Sequence, residues 1–175
     1  MERTGFLSGG RIFSNVIPVA LALTGVILSN VPISFTGNHV PAPLLGLMPV
    51  YFWCLVRPDL MSPMWALLIG LLEDVLGQGP PGLWAAAYIA TYTVVSRQRD
   101  VFAGLSGYAA VLGFATAAFV AFGAAYMIKC VLDWRLLPIG SIAGGMLSSA
   151  VLYVPAASLL NYVHRRFVGA ARTDF

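Results

Sequence analysis

Between Phe102 and Ile128 no side chain carries a formal charge. A helix over that stretch, rising about 1.5 Å per residue, is long enough to cross the roughly 30 Å hydrocarbon core of a bilayer. The rest of the chain follows the same pattern, with apolar regions at about residues 12–31, 44–56, 63–77, 82–96, 102–128 and 138–163. Hydrophobic residues make up 59% of the 175 residues and charged residues 10%, where a soluble domain carries about a quarter charged. The expectation is an all-α polytopic membrane protein. A single integral membrane domain covers residues 1–175, as a compact six-helix bundle with short third and fourth helices.

Local signals set the boundaries. A polar, proline-rich connection, "NVPISFTGNHVPAP", separates the first two regions. The second ends at Arg57-Pro58-Asp59, where Pro58 restricts the residue before it. Ser62 suits an N-cap and Pro63 the first turn of the third helix, which closes at Gly77. The fourth helix ends on "RQRD", and the sixth, with a kink expected at Pro155, leads into "HRRFVGAARTDF". The third and fourth helices reach only about 22 Å at 1.5 Å per residue. They either cross a thinned bilayer obliquely or form a re-entrant hairpin; two short spans with the turn near the outer surface are the expectation. Tyr51, Trp53, Trp65, Trp84, Trp134 and Tyr162 sit near span ends and are expected as interface anchors.

Charge orients this scheme. Arg3, Arg11, Arg57, Arg97, Arg99, Arg165, Arg166 and Arg172 fall on one side of it, and Lys129 and Arg135 on the other. The positive-inside rule therefore places both termini in the cytoplasm. Basic residues stand singly or in pairs, so the net charge of +3 is no nucleic-acid footprint. Arg3, Arg11 and the following apolar run look like a secretory leader. The only A-x-A, Ala20 to Ala22, lies inside that run, so an uncleaved first span is expected. Cys54 and Cys130 fall towards opposite faces, and no disulfide is expected between them.

No reactive constellation is visible. His39 and His164 lie on opposite sides of the scheme, and no Cys/His cluster or H-E-x-x-H has metal-ligand spacing. The "GLSG" at 104–107 lacks the G-x-S-x-G of a nucleophile elbow, and no S-x-x-K occurs. A literal G-x-G-x-x-G stands at Gly77, Gly79 and Gly82. The dinucleotide fingerprint needs a preceding strand and free N–H groups. Here a helix precedes it, and Pro80 and Pro81 remove two donors. Neither an enzyme activity, a cofactor nor a metal is expected. Small residues instead form ridges suited to close helix packing: Ala66, Gly70 and Asp74; Gly140, Gly144 and Ser148; and, beside these, Ser141, Gly145 and Ser149.

Glu73 and Asp74 stand out against this background. An Asp at the centre of a membrane helix costs about 2.5–3.5 kcal/mol, less near an end. The negative end of the helix dipole opposes both acids. Something must compensate. Asp74 either braces a hairpin through the N–H groups around Gly82 to Trp84, or meets a partner's cation or polar backbone. Intramembrane acids usually pair within their own bundle, which favours the brace. Glu73 is expected to face water, and Gly77, Pro81 and Gly82 to shape the turn. Lys129, Asp133, Trp134 and Arg135 form either a solvated, interface-anchored loop or a docking surface.

The stretch "VYFWCLVRPDLMSPMWALLIGLLEDVLGQGPPGLWAAAYIATY" resembles the signature region of the rod shape-determining protein MreD family. That region has an aromatic-bearing second span, a short loop and "GxxxDxxxGxxxG"-like spacing. Gly70, Asp74 and Gly82 fit it, while "GQGPPG" replaces the shorter Ser/Pro-Leu-Gly turn of many members. The resemblance covers about a quarter of the chain. It implies a non-enzymatic membrane scaffold of the bacterial elongation complex in the cytoplasmic membrane. Such a scaffold binds MreC directly, with RodA, a class B penicillin-binding transpeptidase and MreB as complex members. The family's fold is also similar to the substrate-binding component of energy-coupling factor transporters. A small-molecule-binding transporter component is therefore the alternative, with Glu73, Asp74 and Gln78 as polar groups for a pocket.

Overall fold

The computed structural model describes residues 6–31, 43–103, 108–135 and 139–168, with side chains from residue 16 onward except those of 102–108, 136–139 and Ser141. The side chains of Arg3, Arg11, Ser141 and Arg172, together with His39 and residues 104–107, lie outside that description. Every regular element described is helical. In order they are α1 (Phe6–Ser29), α2 (Leu47–Val56), α3 (Pro63–Leu76), α4 (Leu83–Arg97), α5 (Arg99–Ala103), α6 (Tyr108–Asp133) and α7 (Ile139–Val163). A π-helical turn, His164–Val168, continues α7. The stretches Ala109–Asp133 and Ile142–Val168 are long and apolar enough to cross a membrane.

The boundaries differ from expectation at several places. α1 begins earlier, at Phe6, and the "RQRD" connection contributes to a short helix of its own, α5. α6 runs on to Asp133 and carries Lys129 into the helix. A lysine near a helix end lays its stem along apolar surface and keeps its ammonium in water, so it need not end the helix. Ser62 takes the extended N-cap backbone, but its hydroxyl makes no cap bond. Its carbonyl instead accepts from the Trp65 and Ala66 N–H groups.

α2 holds the centre. It is apolar on every face, and Leu47, Met48, Pro49, Val50, Tyr51, Trp53 and Cys54 are all buried. It packs against α1, α4, α6 and α7, while α1–α3, α3–α4, α4–α6 and α6–α7 are neighbours around it. Tyr51 sets its ring edge-on to Phe114 (5.4 Å) and Tyr153 (5.6 Å), and those two stack at 4.1 Å. Tyr51 and Trp53 are therefore core residues and not interface anchors, because both are buried by the helices packed around α2. Trp84 is half-buried edge-on to Phe122, whereas Trp65, Trp134 and Tyr162 are exposed.

The turn leading into α2, just before Leu47, is largely buried, and its N–H groups need partners there. Two serines from other helices provide them. Ser29 of α1 accepts the Leu45 N–H at 3.0 Å, and its hydroxyl lies 2.9 Å from the Pro43 carbonyl. Ser149 of α7 accepts the Leu44 N–H at 3.0 Å and donates to Gly145 O at 2.7 Å. Gly25 permits this approach, since a Cβ there would stand 2.6 Å from Leu45 O.

This geometry corrects the packing ridge assigned to α7. A Cβ at Gly140 meets nothing within 4 Å, and the Ser148 hydroxyl turns back to Gly145 O within its own helix. Gly144 is only half-buried, whereas Gly145 and Ser149 are buried. Adjacent positions on a helix differ by about 100°. Two parallel small-residue ridges therefore look alike in sequence, and the position of α2 selects the second. Ser149→Ala is expected to leave the Leu44 N–H unpaired and to cost about 1–3 kcal/mol. Thermal unfolding of the purified variant measures this, and an unchanged midpoint would exclude the contribution of that bond.

Candidate functional site

The site is the hairpin joining α3 to α4. Pro80, Pro81, Gly82 and Leu83 form its final turn, with the Leu83 N–H donating to Pro80 O at 3.2 Å. Gly82 has φ 91 and ψ −6. Proline at the second position and glycine with positive φ at the third are the requirements of a type II turn. Gly77 ends α3 as expected but with φ −78, and Gln78 takes the positive φ of 51. Glycine is needed at Gly77 for space: a Cβ would lie 2.9 Å from Glu73 O and 3.4 Å from Asn30 Oδ1.

Asp74 closes the hairpin. Its Oδ1 accepts the Trp84 N–H at 2.7 Å, and its Oδ2 accepts those of Gly82 at 2.9 Å and Ala85 at 3.2 Å. Three orphan donors at the start of α4 are thus satisfied by one carboxylate from α3. The dipole opposes Asp74 at the end of its own helix but favours it at the N-terminus of the next. A helix N-terminus is where a phosphate would bind. In this chain a resident carboxylate occupies that position, which is why the glycine motif around it is a turn and not a nucleotide loop.

One turn before Asp74, Gly70 brings the two helices into backbone contact. A Cβ there would lie 2.6 Å from Ala85 Cα, 2.8 Å from Trp84 O and 2.9 Å from Ala85 N. Ala66, a further turn back, is fully buried. The ridge Ala66–Gly70–Asp74 therefore faces α4 along its length. Close approach at Gly70 and hydrogen bonding at Asp74 act on the same residue, Ala85.

Glu73 does not face water. It is 5% exposed, its Oε1 accepts the Asn30 side-chain N–H at 3.0 Å, and the Tyr88 hydroxyl stands 3.4 Å from Oε2. Consecutive helical positions point about 100° apart, so two adjacent acids are both buried only where a helix has neighbours on two sides. The end of α3 is such a place, with α4 on one side and α1 on the other. Asn30 also donates to Val26 O at 2.9 Å, which ties the end of α1 to the hairpin. Asn30, Tyr88 and Ser29 were not singled out from sequence, and Ser149 only as a small residue of a packing ridge. Asn30, directly following an apolar helix, carried a detectable C-terminal signal. Tyr88 carried none.

Lys129 and Asp133 lie in the last turns of α6 and are exposed, as are Arg135 and Trp134, the latter 90% exposed with φ 50. Among the described residues no hydrogen bond joins this group to Glu73 or Asp74. Chemically, the hairpin holds two carboxylates in fixed hydrogen bonds to the chain's own donors. That is an arrangement for setting the relative positions of α1, α3 and α4. Comparison with protein-family models, with curated proteins and with solved structures finds no match for this chain.

Proposed function

We propose that the chain is a polytopic protein of the bacterial cytoplasmic membrane, with both termini in the cytoplasm. In this reading it acts as a non-enzymatic scaffold of the elongation complex in the manner of the MreD family. α1, α2, α3, α4, α6 and α7 are its six membrane elements. Its direct partner is MreC, and through MreC it influences the class B penicillin-binding transpeptidase, RodA and MreB, and with them cell shape.

The observation that carries the membrane part is the inverted polarity of the surface. Glu73, Asp74, Thr91, Ser29 and Ser149 are buried, while Met64, Leu68, Val75, Leu112, Phe119, Met127, Leu147, Val151 and Leu159 are all exposed. These apolar residues spread over α3, α6 and α7. In water they would form patches far beyond what soluble monomers tolerate, whereas hydrocarbon covers them without penalty. The scaffold part rests on the resemblance. It is supported by the way Gly70, Asp74 and Gly82, the residues that carry that resemblance, work together in one hairpin.

Gentle solubilisation of native membranes tests both parts. The chain is expected to stay in the membrane fraction at alkaline pH and to retain MreC when purified in mild detergent. Release without detergent would end the membrane reading. Recovery with an ATPase module and a bound vitamin in place of MreC would replace the scaffold with a transporter component.

A further inference from the structure

We propose that the end of the bundle where α2 and α4 terminate binds the phosphate headgroup of an anionic phospholipid, held by Arg99, Arg165 and Arg166. The proposal rests on the membrane reading above and adds a ligand to it. Three elements distant in sequence converge there. Arg99 of α5 donates from Nε to Leu55 O at 3.2 Å, which fixes its guanidinium beside the last turn of α2. On the same helix Phe52 meets the His164 ring edge-on at 6.1 Å, bringing the π-helical turn alongside. His164 lies within the fields of both Arg57 and Arg165.

The charge of this end is unbalanced. Arg57, Arg97, Arg99, Arg165 and Arg166 stand there against Asp59 and Asp100. Arg57 takes Asp59 in a forked contact, Nη2 to Oδ2 at 2.7 Å and Nε to Oδ1 at 2.9 Å, and this hydrogen bonding holds the Asp59 carboxyl below its usual range. Arg97, Arg165 and Arg166 are exposed and meet no carboxylate among the described residues. The Nδ1 of His164 is buried without a hydrogen-bond partner. Guanidinium groups bind phosphate oxygens through paired N–H donors.

The surroundings of the cluster decide between a lipid and a free anion. Val101, Tyr162 and Phe167, within a turn of the arginines in sequence on α5, α7 and the π-helical turn, leave apolar and aromatic surface exposed at 68%, 62% and 56%. A headgroup attached to acyl chains satisfies both features at once, and basic pockets between helices at the cytoplasmic face suit such headgroups. A free phosphate satisfies only one.

The test uses the full chain in detergent, loaded with equal amounts of phosphatidylglycerol and phosphatidylcholine, with retained lipid read by native mass spectrometry. Wild type is expected to keep phosphatidylglycerol in preference. Arg165→Gln/Arg166→Gln, which alters only exposed side chains, should lose about fivefold of that preference per arginine. Arg99→Gln should add to the loss, and Lys129→Gln/Arg135→Gln at the opposite end should leave it intact. An equal loss in the opposite-end variant, no preference in wild type, or displacement of the lipid by millimolar inorganic phosphate would each overturn the site. The membrane reading is judged separately: a chain that resists alkaline extraction yet shows no lipid preference loses only this proposal.

Discussion

Asp74→Ala should destabilise the folded chain by about 3 kcal/mol or more, the largest loss expected from any single side-chain truncation in the hairpin. The reason lies in the count of donors left behind. One carboxylate accepts the N–H groups of Gly82, Trp84 and Ala85, and alanine leaves all three without that acceptor. Asp74→Asn keeps one carbonyl oxygen and should recover part of the loss. Glu73→Gln, which still accepts from Asn30, should cost only about 1 kcal/mol. Equilibrium unfolding in mixed micelles, together with the amount of folded protein in membranes, measures the order of the three variants. Equal losses for Asp74→Ala and Glu73→Gln would show that the carboxylate does not hold α4.

Gly70→Leu is expected to force α3 and α4 apart, at a cost of about 3 kcal/mol or more, beyond ordinary overpacking. The clash begins at Cβ, before any rotamer matters, and the atoms it meets are the backbone of Ala85 and Trp84. Backbone cannot swing aside as a side chain does, so even Gly70→Ala should be measurably weaker than wild type. Separation of the helices at Gly70 would also stretch the Asp74–Ala85 bond, already 3.2 Å. The two substitutions should therefore be non-additive. Gly140→Leu is the matched control, since a Cβ there meets open space. A wild-type melting temperature for Gly70→Leu, or an equal drop for Gly140→Leu, would remove Gly70 from the packing contact.

The residues differ in how far sequence alone revealed their roles. Asp74 was legible because its neighbours state the problem: an acid at the unfavourable end of an apolar helix, followed within one short turn by a helix start in need of acceptors. Gly70 was legible from its four-residue spacing to Asp74. Glu73 was not. Its burial depends on α1 arriving on the far side of α3, a contact between residues 43 positions apart. The ridge on α7 failed for a related reason. Gly144 and Gly145 are chemically equivalent, and only the Leu44 N–H, reaching Ser149 from 105 residues away, distinguishes their faces.

By itself the sequence determined the all-helical class, the approximate positions of the long apolar helices and the turn behind Asp74. Each follows from local rules: uninterrupted apolar runs, proline and glycine at positions with fixed backbone needs, and an acceptor placed opposite orphan donors. Tertiary structure alone decided that α2 is the central helix, that the turn leading into it is held by serines from α1 and α7, and that both acids are buried. Those outcomes depend on which helices surround a given face. Periodicity in one segment reports that a face is small or apolar, and never which partner comes to cover it.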